Sequence, residues 1–149
     1  MILVDANILL YAYDRSSPRH EPARRWLEAA LNGEETVGFP LLTLLAFLRI
    51  STHPAVFRRP MEPGRAIEIV ATWLARPNAA VVAPSERHWQ ILADVARAGQ
   101  ARGPLLMDAH LAALAIEHGA TLATTDRGFG RFRGLRFRDP LEAPARRGG

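Results

Sequence analysis

The chain predicts an α/β fold: one domain built on a parallel β-sheet of four to five strands, flanked by helices. Three observations lead there. Short β-prone apolar runs alternate with longer segments of helical period, the order that gives a parallel sheet with right-handed crossovers. The first run, Ile2-Leu3-Val4, is apolar at every position, as in a strand buried on both faces. Two runs end on aspartate, at Asp5 and after Leu122-Ala-Thr-Thr at Asp126. The carboxyl ends of strands are where open α/β sheets hold their ligands.

Each element follows from local chemistry. Ile2 to Val4 is the first strand, and Asn7 is placed either to cap the helix that follows or to hold Asp5 in orientation. Residues 18 to 32 predict a helix, opened by Pro18, lined by Ala23, Trp26, Leu27, Ala30 and Leu31, and ended by Asn32-Gly33. Thr36 to Phe39 is the second strand. Pro40 opens a long apolar helix that closes near His53-Pro54, and residues 54 to 62 form a loop. Pro63 to Arg76 is a helix with Ile67, Val70 and Leu74 toward the core. Ala79 to Ala83 is the third strand, and Ser85 caps a helix whose core face is Trp89, Leu92 and Val95. Leu105 to His118 is a strong helix closed by Gly119, Thr121 to Thr124 the fourth strand, and Leu135 to Phe137 a short fifth. The domain is expected to span residues 1–142, with 143–149 a flexible tail.

Composition removes several functions. The 149 residues suffice for one real core. Cysteine is absent, which excludes disulfides and thiolate metal sites. Lysine is absent too, so all 19 basic side chains are arginine and no catalytic lysine exists. Arginine is the better residue for bidentate phosphate contacts, and the formal net charge is +4. No G-x-G-x-x-G follows the first strand, against a dinucleotide-binding domain. The apolar runs are too short for a signal peptide or a membrane span, so no membrane partner is expected and the cytoplasm is the expected location.

Asp108 joins Asp5 and Asp126 as a third acid of interest. It opens the strongest helix, with Leu111, Ala112 and Ala115 on its own face. If the first and fourth strands are neighbours, Asp5 and Asp126 emerge at one sheet edge and the helix start brings Asp108 toward them. Three converging carboxylates repel one another and suit a hard divalent cation, Mg²⁺ or Mn²⁺.

Four segments together resemble a known family. Val4-Asp-Ala-Asn-Ile-Leu-Leu10, Phe47-Leu-Arg-Ile-Ser-Thr-His-Pro54, Asp108-Ala-His-Leu111 and Ala123-Thr-Thr-Asp-Arg-Gly-Phe129 are similar to the PIN-domain ribonucleases, and more narrowly to the VapC toxins of type II toxin–antitoxin pairs. The resemblance implies a PIN-like sheet and a Mg²⁺- or Mn²⁺-dependent endoribonuclease. It further implies an RNA substrate, a homodimer and a cognate antitoxin protein that occupies the active-site groove. Carried across, Asp5, Asp108 and Asp126 are the metal-site and catalytic acids. Two family acids are missing: the Glu of the helix after the second strand, aligned here with Leu44, and an Asp replaced by Gly128.

Asn7, Thr125, Arg127, Arg131 and Arg133 are the candidate substrate-binding residues. The last three belong to a basic run, continued by Arg136 and Arg138, that is placed to hold a phosphate backbone beside Asp126 or to form a solvated face paired with Asp139 and Glu142. Arg58-Arg59 on the central loop is a second basic pair. The five histidines lack metal-ligand spacing, and Trp26, Trp73 and Trp89 fit packing roles. The alternative function is a catalytically weak or inactive RNA- or protein-binding module on the same fold.

Overall fold

The computed structural model describes residues 1–143. Five parallel strands, β1 (Ile2–Val4), β2 (Val37–Pro40), β3 (Ala79–Val82), β4 (Thr121–Ala123) and β5 (Arg136–Arg138), lie in the order β3-β2-β1-β4-β5. The helices are α1 (Ala6–Tyr13), α2 (His20–Leu31), α3 (Leu41–Ser51), α4 (Pro63–Leu74), α5 (His88–Ala98) and α6 (Leu105–Glu117), with a 3₁₀ turn over Arg127–Arg131. The tail predicted for 143–149 lies, apart from Ala143, outside the described residues. Among the described residues no helix is long and apolar enough to cross a membrane.

The central strand divides the core. Side chains of a strand alternate between faces, so Ile2 and Val4 pack with α1 to α4, while Leu3 packs with α5, α6, Phe129 and Phe132. Leu3, Val4, Leu122 and Ala123 are fully buried, which is why these short runs contain no polar residue. Gly38 on β2 is needed for close approach: a Cβ there would lie 2.4 Å from Leu3 Cδ2 and 2.8 Å from Val82 Cγ2. Gly119, at φ +60°, reverses the chain between α6 and β4.

Two helix faces differ from expectation by one position. In α4 the buried residues are Ala66, Ile69, Val70 and Trp73, while Ile67 is exposed. In α5 the inward stripe is His88, Ile91, Leu92 and Val95, and Trp89 is 76% exposed. The stripe starts on a histidine because His88 has a buried partner: its Nδ1 lies 3.1 Å from Glu117 Oε1, whose side chain is 3% exposed. Ser85 does not cap α5; its hydroxyl donates to Glu117 Oε2 at 2.9 Å. α2 begins at His20, two residues after Pro18.

Candidate active site

The strand order places β1 between β2, which follows it in sequence, and β4, which comes from the far end of the chain. The chain therefore reverses direction across the sheet at the β1–β4 boundary, the point where α/β sheets open a crevice beyond their carboxyl ends. Asp5 follows β1 there, and its N–H donates to Ala123 O at 3.0 Å. Asp126 leaves β4 three residues after that same Ala123. α6 must end at the start of β4, so its 13 residues, about 20 Å of helix, carry its first turn back to the carboxyl edge. Asp108 sits in that first turn.

Thr124, directly after β4 and 1% exposed, ties the two strand ends together. Its hydroxyl donates to Asp5 Oδ2 at 2.7 Å and accepts from the Asp126 N–H at 3.0 Å and from Asn7 Nδ2 at 3.3 Å. The other Asp5 oxygen accepts from the Ala6 N–H at 2.7 Å, so Asp5 itself is the N-cap of α1. Asn7 is therefore not a cap. It lies inside α1 and bears on Asp5 through Thr124. Its Oδ1 is buried without a hydrogen-bond partner, an acceptor left open beside the acids. Asp126 Oδ1 accepts from the Gly128 N–H at 2.7 Å. A Cβ at position 128 would come 2.9 Å from that oxygen, so glycine leaves room for the turn.

The electrostatics record the convergence. Burial holds the Asp5 carboxyl above the usual carboxylate range; the bonds from Thr124 and Ala6 work against it, and the charges of Asp108 and Asp126 add to it. Asp108 is also raised, by burial and then by Asp126, with Arg131 pulling the other way. Asp5 is thus made harder to ionise by the charges of both other acids, and Asp108 by that of Asp126. Among the described residues no three acids or histidines stand grouped as a metal cluster; Asp5 and Asp126 are turned onto protein donors. The donor set nevertheless fits a hard cation. It is all oxygen, it carries mutual repulsion, and Asn7 Oδ1 is an open acceptor for a bound water. α3 supplies no carboxylate at any position, and Leu44 is part of the apolar core.

The arginine run divides. Arg131 Nη1 donates to Gly99 O at 3.3 Å and bears on Asp108. Arg127 pairs with Glu142 at 2.5 Å, the solvated-face arrangement. Thr125 and Arg127 line one cleft with Arg19, Asp139 and Glu142. Arg133 is exposed in the turn that leads to β5. Arg136 opens β5 opposite Thr121, at the amino edge of the sheet, and donates to Gly119 O at 2.6 Å, so it is remote from the acids. His110 is not free either: its Nδ1 lies 2.9 Å from His88 Nε2, making a Glu117–His88–His110 chain between α5 and α6.

Thr124 is the site residue that the sequence does not single out: it reads as the last residue of a strand, and the candidate beside it is Thr125. The signal was present: a hydroxyl residue two before Asp126, at the level of Asp5 once β1 and β4 are paired.

Comparison with known proteins agrees with this architecture. The PIN domain family matches residues 2–135. Ribonuclease VapC37 of Mycobacterium tuberculosis is 47% identical over 140 residues, covering 94% of this chain and 97% of that protein. Ribonuclease VapC43 of the same species is 42% identical over 142 residues, covering 95% and 97%. Among solved structures, VapBC2 from Rickettsia felis, bound to a DNA fragment from its promoter, gives a TM-score of 0.68 at 17% identity, over 93% of this chain and 98% of the other. Mycobacterium tuberculosis VapC20, a sarcin-ricin loop cleaving toxin, gives 0.63 at 18% identity, over 91% and 99%. At such identities the structures share the fold.

Proposed function

The chain belongs to the PIN domain family, and on that premise we propose that it is a metal-dependent endoribonuclease, the toxin of a toxin–antitoxin pair. The observation that carries this reading is the Thr124 hub at the sheet's switch point, which fastens Asp5 to the start of the Asp126 turn beside Asp108. Relatives named as ribonucleases over nearly their whole length support it.

Asp5, Asp108 and Asp126 would hold the Mg²⁺ or Mn²⁺. Such an ion, when bound, lowers the pKa of a coordinated water and stabilises charge on a phosphate. The protein's own part is positioning. Thr124 fixes the Asp5 carboxylate by a hydrogen bond that favours its charged form, opposing the burial that raises its pKa. Asn7 orients Thr124 and offers Oδ1 as an acceptor to a water in the site. Arg131, anchored on Gly99 O, balances the carboxylates and is set to meet an RNA phosphate. Arg127, Arg133 and Thr125 are further RNA contacts in this reading. The products carry a 5′-phosphate and a 3′-hydroxyl. An antitoxin protein covers the acids in the resting complex, the chain pairs with a second copy of itself, and its action takes place in the cytoplasm.

The test is cleavage of a labelled RNA by the purified chain with Mn²⁺, with EDTA, and as Asp5→Asn. Cleavage confined to the untreated parent with Mn²⁺, with 5′-phosphate ends, is the expected result. Cyclic 2′,3′-phosphate ends would refute the hydrolytic mechanism. RNA binding without cleavage by the parent would establish the inactive binding module in its place.

A further inference from the structure

Beyond the acids, a second basic surface has no role in the reading above. Tyr13, Asp14 and Arg15, at the carboxyl end of α1, face Phe57, Arg58 and Arg59 of the α3–α4 connection across a cleft of about 480 Å³. Among the described residues Arg15, Arg58 and Arg59 make no salt bridge, unlike Arg24, Arg25, Arg65, Arg97 and Arg127. The only carboxylate in the lining is turned back on its own chain: Asp14 Oδ1 accepts from the Ser16 N–H at 3.1 Å and the Ser16 hydroxyl at 2.6 Å.

Phe57 is the second unusual member. It is half-buried yet belongs to neither core cluster and pairs with no other aromatic ring among the described residues. Tyr13, in contrast, is a fixed wall, packed at 5.8 Å from the Phe47 ring and accepting from Trp73 Nε1 at 3.3 Å. The connection that carries Phe57 is held in place, with its N–H on His53 O at 3.1 Å and the Met61 N–H on Ser51 O at 2.9 Å. Unpaired guanidinium groups around an apolar ring that contributes to no core form a surface suited to single-stranded nucleic acid: phosphates on arginine, a base on the ring.

We propose that this cleft is a distal RNA subsite that grips the substrate away from the cut, an inference that rests on the ribonuclease reading. α1 joins the two sites. Asp5 caps its start and Asp14 its end, and its 8 residues span about 12 Å. At a rise of about 3.4 Å per stacked nucleotide, that is about three to four phosphates from the acids. The subsite is tolerant of sequence, because every base has a face to stack. It makes affinity depend on RNA length.

The experiment uses the full chain as Asp5→Asn, which leaves the RNA uncut, with four- and twelve-nucleotide unstructured RNAs and a salt series read by fluorescence anisotropy. Phe57→Ala is expected to weaken the twelve-mer by roughly tenfold or more and leave the four-mer unchanged. Arg58→Gln with Arg59→Gln is expected to flatten the twelve-mer's salt slope by about 1.4, at about 0.7 per phosphate on a single strand. Arg58 and Arg59 lie on the surface and Phe57 is half-buried outside both core clusters, and an unshifted melting temperature checks that the variants are folded. Equal losses on both RNAs, or none on the twelve-mer, would overturn the subsite. So would variants that bind RNA normally but lose a co-expressed protein partner, which would make the cleft a protein surface. If the Asp5→Asn chain itself bound no RNA of either length, the ribonuclease reading would fail first and take the subsite with it.

Discussion

Replacing Thr124 with Val removes one hydroxyl and keeps nearly the same shape, so the loss is chemical and leaves no cavity. Three bonds go: the donor to Asp5 Oδ2 and the acceptor for Asp126 N–H and Asn7 Nδ2. A hydrogen bond to a charged group is worth about 1.5–3 kcal/mol. Asp126 is exposed, and water can satisfy its N–H, so the Asp5 bond dominates. The expected cost is about 2 kcal/mol, which for a chain of this size lowers the melting temperature by about 4–8 °C. The bond from Thr124 is also the leading influence holding the Asp5 carboxyl down against burial. Without it Asp5 binds its proton more tightly, and a metal ion must compete with that proton, so Mn²⁺ affinity falls by about tenfold for a loss of about 1.4 kcal/mol. Thermal melts in EDTA and calorimetric titration with Mn²⁺ measure the two effects. The melting deficit should narrow in acid, where Asp5 is protonated in both proteins. Thr124→Ser keeps the hydroxyl and should stay close to the parent. A Thr124→Val protein with parental stability and parental Mn²⁺ affinity would refute the hub.

Three other outcomes follow from the same geometry. Asp5 and Asp108 are raised above their ordinary value of 3.8, so they lend the metal-free fold stability at low pH that is lost as pH rises through their folded values; Mn²⁺ should therefore raise the melting temperature more at pH 7.5 than at pH 5, and an equal rise would count against carboxylate binding. Arg131→Gln should flatten the salt dependence of RNA binding by about 0.7, whereas Arg136→Gln, at the opposite edge of the sheet, should leave it unchanged; identical slopes for both would remove Arg131 from the groove. Burial and then His88 hold the His110 imidazole below its ordinary 6.5. The folded chain thus loses stability as pH falls through that value, and His110→Gln should flatten the decline in melting temperature between pH 7 and pH 5.

The strands and the acids were legible because both are local signals. An apolar run that ends on Asp says that a buried strand delivers a carboxylate, and the same pattern at Asp5 and Asp126 says that two do. What periodicity cannot supply is the identity of the neighbour. The spacing with Leu92 and Val95 puts Trp89 on the core face of α5, yet that place belongs to His88, because Glu117 comes from 29 residues away to meet it. Ile67 reads as part of the α4 core face, but the buried face takes the small Ala66 beside it, which hydrophobicity alone does not signal. Arg136 looked like its neighbours in the basic run, but the fifth strand carries it across the sheet to the amino edge. Thr124 is the plainest case, since its importance arises only when β1 and β4 lie side by side.

That pairing also sets a timetable. Asp5 and Thr124 are 119 residues apart, and the hydroxyl that fixes the first acid is made long after it. At about 5–20 residues per second, a ribosome takes about 6 to 24 s to travel between them. Throughout that interval Asp5 has no Thr124, Asp126 does not exist, and the β1 edge that β4 will cover stays open. A copy broken off upstream of β4 thus carries Asp5 without the hydroxyl that fixes it and without Asp126. The arrangement is completed late, when β4 brings Thr124 and Asp126 alongside β1 and Asp5 gains a partner made 119 residues after it.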